Sequence, residues 1–154
     1  MELEPGLTAF LLRAKRATYA AGSPEGVQRA ASRPASHDLG YSEGAWSYLD
    51  TYLGGFAFAG EEAVWLAGRP LWSMNYYGTM TVAEIPAGFS PFLKAALLRV
   101  PADAPYRGPQ AWQDGPFAYA CRWEGEPRHF RGDEQIWLAG RLIYTLDFHG
   151  GVIL

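Results

Sequence analysis

Residues 58–78 read FAGEEAVWLAGRPLWSMNYYG, and residues 130–150 read FRGDEQIWLAGRLIYTLDFHG. The offset is a constant 72 over 21 residues, with no gap. Nine positions are identical, among them Gly60/Gly132, Glu62/Glu134, Trp65/Trp137 and Gly68/Gly140. Eight more are conservative, such as Val64/Ile136, Trp72/Tyr144 and Tyr76/Phe148. Ordinary composition gives about one identity over such a length. Upstream, Tyr48/Tyr119, Tyr52/Trp123 and Gly54/Gly125 match at an offset of 71. Self-similarity at a fixed offset decides architecture before any motif does. Two copies, rather than many, point to a pseudo-two-fold domain.

Working outward, a helix is expected over Leu7–Ala20, where Leu7, Phe10, Leu11, Ala14 and Thr18 recur at helical spacing. Lys15 sits on the shoulder of that stripe, and Arg13, Lys15 and Arg16 read as a solvated face. Residues 22–44 are rich in Gly, Ser, Pro and Ala and predict a long loop, the kind that is usually functional or disordered. From Ala45 the period changes to two, placing Trp46, Tyr48, Asp50 and Tyr52 on one strand face. A two-residue turn at Gly68-Arg69 pairs Trp65 with Trp72 and Glu62 with Asn75, and in the second copy Glu134 with Asp147. Moving it to Ala67-Gly68 leaves the faces unchanged, whereas a three-residue turn would swap these partners. A second helix is expected with Ser90 as N-cap and Pro91 at its first position, ended by Pro101.

The expected fold class is therefore α+β: an internally duplicated unit of helix, long loop and about four antiparallel strands, with the helices packed on the sheet. One domain spans 1–154 with two pseudo-repeats, about 7–78 and 90–151. A chain of 154 residues is long enough for one core and short for two domains.

Composition bounds the function. Hydrophobic residues make up 49% and charged residues 19%, a globular balance. Aromatics reach 15%, and such side chains carry large buried areas and line ligand pockets. The formal net charge is −3, against a protein whose task is direct nucleic-acid binding, which needs a basic face. The single cysteine, Cys121, allows no disulfide within the chain and fits a cytoplasmic, reducing setting. No signal peptide and no membrane-spanning run are read.

No motif carries a complete chemistry. Gly40-Tyr41-Ser42-Glu43-Gly44 matches G-x-S-x-G but lacks the strand before and helix after that a nucleophile elbow requires. Arg131-Gly132-Asp133 aligns with Ala59-Gly60-Glu61 and reads as a hairpin turn. His37, His129 and His149 lack metal-ligand spacing, so neither a metal nor a cofactor is expected. Asp50 stands in a row of aromatics, where a carboxylate is costly unless paired or solvated from a cleft. Its counterpart in the second copy is Cys121. A residue kept in both copies, such as Glu62/Glu134, reads as structural, whereas a site used once should differ between copies. That favours Asp50, Asn75, Tyr77, His37 and Arg107.

Several stretches together resemble a family of uncharacterised bacterial domains. They are Ala14-Lys15-Arg16-Ala17-Thr18-Tyr19-Ala20, Ser36-His37-x-Leu39-x-Tyr41, Tyr48-x-Asp50-x-Tyr52-x-Gly54, Phe58-x-Gly60-x-Glu62-x-Val64, Trp72-x-Met74-Asn75-Tyr76-x-Gly78 and Arg107-Gly108-Pro109. Members of that family often follow a helix-turn-helix DNA-binding domain, and some stand alone. The resemblance implies a sensor-like domain without the DNA reader, since one helix cannot supply a DNA-binding module.

The leading expectation is a small-molecule, effector-like binding domain with an aromatic-lined cleft. Tyr48, Tyr52, Trp72 and Tyr76 would line it. Asp50 and Asn75 would anchor the ligand, Arg107 would assist, and His37 and Tyr41 would close over it. The absence of a complete catalytic motif leans against an enzyme. The second reading is a small hydrolase or lyase using Asp50 or Glu62 as acid/base. The third is a protein-interaction module or homodimer formed through Gly151-Val152-Ile153-Leu154 as an edge strand.

Overall fold

The computed structural model describes residues 2–20 and 28–154. The chain runs α1 (Leu7–Ala20), β1 (Gln28–Arg29), β2 (His37–Glu43), β3 (Trp46–Gly54), β4 (Ala57–Leu66), β5 (Arg69–Met80), α2 (Phe89–Leu97), β6 (Ala111–Asp114), β7 (Phe117–Glu126), β8 (His129–Leu138) and β9 (Arg141–Val152). All nine strands join one antiparallel sheet in the order β1-β2-β3-β4-β5-β9-β8-β7-β6.

This corrects the expected α+β architecture of two helix-bearing units with helices packed on the sheet. The body of the fold is a single continuous sheet, and the two helices contribute only 14 and 9 residues. The aromatic and β-branched runs of 9–12 residues extend into long strands, and β5 pairs directly with β9, so the two halves share one ladder instead of standing as separate units.

Much of the segment expected as a loop is strand. β2 pairs with β3 along its length, with His37 opposite Tyr52 and Tyr41 opposite Tyr48. Residues 22–27 of that expected loop lie outside the described residues. The turn after it is pinned by Asp38, which accepts bonds from Ser36 Oγ at 2.6 Å, Thr51 Oγ1 at 3.0 Å and the Ser32 N–H at 3.2 Å.

Of the two expected turn positions, the hairpin takes Ala67-Gly68. Both residues take positive φ, 49° and 80°, the type I′ geometry that matches strand twist. A bulge between Val64 and Trp65 then shifts the register. Val64 pairs with Trp72, Glu62 with Met74 and Glu61 with Asn75, correcting the expected Trp65–Trp72 and Glu62–Asn75 pairs. The β8–β9 hairpin has the same turn at Ala139-Gly140 and a bulge between Ile136 and Trp137, so Glu134 pairs with Leu146 and not Asp147. The consequence for the faces is large, because a one-residue slip exchanges them. Glu62, Val64, Trp72, Met74 and Tyr76 all become buried on the inner face with Tyr48 and Asp50.

That inner face is the core. Tyr106 stacks on Phe130 with centroids 4.0 Å apart, and Phe130 stacks in turn on Trp72 at 5.5 Å. Phe10 of α1 stacks on Trp46 at 5.1 Å, and Phe92 of α2 lies against Trp112 and Phe117. α2 starts two residues earlier than expected, with Gly88 as N-cap at φ 85°, so Ser90 and Pro91 fall inside its first turn. Arg131-Gly132-Asp133 is strand β8, not a turn. The tail is likewise not an edge. Gly151 and Val152 belong to β9, which lies between β5 and β8, and the Ile153 N–H bonds the Leu71 carbonyl.

Candidate functional site

Among the described residues, three buried carboxyls and two buried cations occupy the inner face: Asp50, Glu62 and Glu134 with Lys15 and Arg107. Strand pairing places Asp50 of β3 directly opposite Glu62 of β4, and Cys121 of β7 opposite Glu134 of β8. Burying such charges is expensive unless each finds a partner.

Glu62 and Glu134 find theirs. Lys15, from the apolar stripe of α1, pairs with Glu62 and donates a further bond to the Tyr106 carbonyl at 2.7 Å. Arg107 makes a two-pronged bond to Glu134 at 3.0 and 3.1 Å. The Tyr119 and Tyr144 hydroxyls also donate to Glu134, at 2.6 and 2.9 Å. Tyr106 and Arg107 belong to the buried segment 104–108, which crosses the inner face before β6. The Gly108 N–H holds that segment to the Tyr119 hydroxyl at 2.8 Å. Lys15 corrects the reading of α1 as carrying a solvated basic face: its side chain is 1% exposed. Burial lowers the Lys15 pKa against the opposing pull of Glu62.

Asp50 is different. It is 3% exposed, and among the described residues its hydrogen bond comes from the Tyr76 hydroxyl at 2.5 Å. Gly60 makes this bond possible, because a Cβ there would collide with the Tyr76 phenol and with Tyr52. Burial, then the nearby Glu62 carboxylate, push the Asp50 carboxyl up to about 7, against the opposing effects of Tyr76, Arg107 and Lys15. Burial and Asp50 push the Tyr76 hydroxyl far above its usual range, so it remains a donor. The corresponding place in the other half holds Cys121 and Phe148, with neither carboxyl nor hydroxyl. Burial and Glu134 push the Cys121 thiol up to about 12, which keeps it protonated.

Asp50 and Tyr76 lie in the wall of a cleft of about 530 Å³. His37, Tyr52 and Arg107 share that wall, and Ile85, Phe89 and Leu93 face it from the α2 side. The His37 ring stacks on Tyr52 at 4.9 Å, and the Arg107 guanidinium lies 5.6 Å from the Tyr76 ring centroid. The structure thus brings Asp50, Tyr52, Tyr76, His37 and Arg107 together. It does not bring the other expected residues. Tyr48 is buried opposite Val64, and Trp72 bonds the Pro127 carbonyl through its indole N–H at 2.9 Å. Asn75 points away, opposite Glu61 and His149, and Tyr77 is exposed. Tyr41 packs near Phe10 and bonds Glu43.

The apolar wall from α2 and the Lys15 partner of Glu62 escaped the sequence reading. A signal for Lys15 existed: it stands four residues after Leu11, on the buried side of the helix. Among the described residues, no three His, Cys, Asp or Glu side chains converge to hold a metal ion. No helix among them is long and apolar enough to cross a membrane.

The family described as "Domain of unknown function (DUF5680)" matches residues 50–153, a span that contains Asp50, Glu62, Tyr76, Arg107 and Glu134 and leaves out Lys15 and His37. No curated protein and no solved structure matches the chain.

Proposed function

We propose that this chain, which belongs to the DUF5680 family of domains of unknown function, is a small-molecule, effector-like binding domain that takes its ligand in the Asp50 cleft. The observation that carries the reading is a buried carboxyl opening on a cleft of about 530 Å³ with aromatic and aliphatic walls. Ligand sites are built this way: mostly apolar, with a few polar groups that fix orientation. The cleft is also asymmetric, since the other half of the sheet has Cys121 and Phe148 where Asp50 and Tyr76 stand. The reading includes a cytoplasmic, bacterial setting and a sensor role like that of domains joined to helix-turn-helix regulators. The cytoplasmic setting rests on the single cysteine, Cys121, and the bacterial origin and sensor role on the sequence resemblance.

A thermal-shift screen of metabolites, followed by Tyr and Trp fluorescence, tests it. A ligand that binds only the native state stabilises it by about 2.7 kcal/mol at a hundred times its Kd. The expected result is a hit whose shift disappears in Tyr52→Ala. A metabolite panel without a hit, or hits indifferent to cleft substitutions, overturns the reading.

One observation favours a second reading. A carboxyl that titrates near neutrality beside a hydroxyl donor suits a general acid/base, as in a hydrolase or lyase. Turnover of a screened hit, with a rate that follows ionisation of Asp50, would distinguish catalysis from simple binding.

A further inference from the structure

We propose that the ligand of this cleft is a cation, an ammonium group on a flat apolar body, with its nitrogen seated against the Asp50 carboxylate. The inference rests on the small-molecule reading and names its chemical class.

It follows from how the buried charges are matched. Arg107 is committed to Glu134 by two bonds, and Lys15 is committed to Glu62 and the Tyr106 carbonyl. Among the described residues of the inner face, three buried carboxyls therefore share two cations, and the one without a cation bonded to it is Asp50, which faces the cleft. Among the described residues, the charged and titratable groups acting on Asp50 are Glu62 on β4, the Tyr76 hydroxyl on β5, Lys15 on α1 and Arg107 before β6. His37 on β2 and Lys94 on α2 also line the cleft. A neutral ligand leaves Asp50 protonated or, above about pH 7, a buried carboxylate without a counter-charge. An anion brings a fourth negative charge to a wall where the guanidinium is already engaged. An ammonium completes the set, and a desolvated ion pair with a hydrogen bond is the arrangement that makes a buried carboxylate tolerable. The stacked His37 and Tyr52 rings and the Phe58 side chain offer a surface for the ligand's flat body.

Proton balance follows. Without a ligand the Asp50 carboxyl holds its proton below about pH 7. When the ammonium enters, the Asp50 O–H bond breaks and that proton leaves to solvent. The ammonium keeps its own protons throughout, so the exchange is one cation in for one proton out.

The probes are 2-phenylethylamine, 2-phenylethanol and phenylacetate, titrated calorimetrically into the full chain in buffers of different ionisation enthalpy. The amine should bind at least tenfold more tightly than the alcohol, and phenylacetate should not bind. Near pH 6 amine binding should release close to one proton. Its affinity should rise about tenfold between about pH 6 and about pH 8, as expected for a carboxyl titrating about 7. Asp50→Asn, which keeps an acceptor for Tyr76, should lose amine binding and retain the alcohol. If that variant does not fold, the wild-type pH series still decides. Alcohol or phenylacetate binding as tightly as the amine, or an amine affinity flat with pH, overturns the cation and leaves the cleft standing. If none of the three binds, the cation inference falls, and the wider metabolite screen decides the small-molecule reading separately.

Discussion

Asp50 and Glu62 face each other across the β3–β4 ladder, and their charges are answered differently: Glu62 meets the Lys15 ammonium, while among the described residues Asp50 meets the Tyr76 hydroxyl. A carboxyl whose folded pKa is raised contributes stability that is present below its unfolded pKa and lost as pH rises through the folded value. For Asp50 that window runs from 3.8 to about 7. Asp50→Asn removes the ionisation and keeps the acceptor. The variant should gain on wild type across this window, by up to about 4 kcal/mol above neutrality. Urea midpoints near pH 4.5 and pH 8 measure the change; a variant weaker than wild type at the higher pH contradicts it.

Lys15→Met should cost about 3–5 kcal/mol, because it strands a buried carboxylate beside Asp50. Adding Glu62→Gln should recover part of the loss, since the amide needs no counter-charge. A single-variant loss below about 1 kcal/mol in chemical denaturation would show that the pair is solvated in solution.

Ala67 takes φ 49° without the freedom of glycine. A side chain in the left-handed region costs about 1–2 kcal/mol, less for asparagine. Ala67→Asn should therefore raise stability by about 0.5–1 kcal/mol, and Ala139→Asn, at φ 47°, should do the same. Thermal melts that fall in both variants would argue against the turn geometry.

Asp38 draws three bonds onto one buried carboxylate. Burial raises its pKa, but the bonds from Ser32, Ser36 and Thr51 outweigh this and the net direction is down. Its contribution is therefore present above the unfolded value of 3.8 and lost as pH falls through the lower folded value. Asp38→Asn should destabilise at neutral pH by about 1–3 kcal/mol. The difference from wild type should shrink in acid, which a pH series of melting temperatures would reveal.

Sequence periodicity made β3, β4 and β5 legible, along with α1 and the glycines of the two hairpin turns. It could not show the bulge at Val64/Trp65, because a single inserted residue leaves the alternation on either side intact. That one residue moved Glu62 and Trp72 onto the same face and removed Trp72 and Asn75 from the expected cleft. β2 was hidden because Gly40 and Ser42 interrupt its apolar pattern, although its alternate residues Asp38 and Gly40 are buried. Asp50 was legible as a site candidate because its counterpart is Cys121 and because a carboxyl among aromatics needs a reason. The wall supplied by Ile85, Phe89 and Leu93 depends on where α2 lands on the sheet, which no local pattern encodes.

The pairing of β5 with β9 sets an order of assembly. Trp72 must wait for Val152, and Met80 for Tyr144, so the middle of the sheet closes through contacts between residues 64–80 apart in the chain. Such non-local closure slows folding. As the chain emerges from a ribosome, β5 presents an unsatisfied ladder of N–H and C=O groups until β9 follows, a template for mispairing with another nascent copy. Expression yield should therefore respond more to substitutions in β9 than to those in the outlying β6, even where the finished proteins are equally stable.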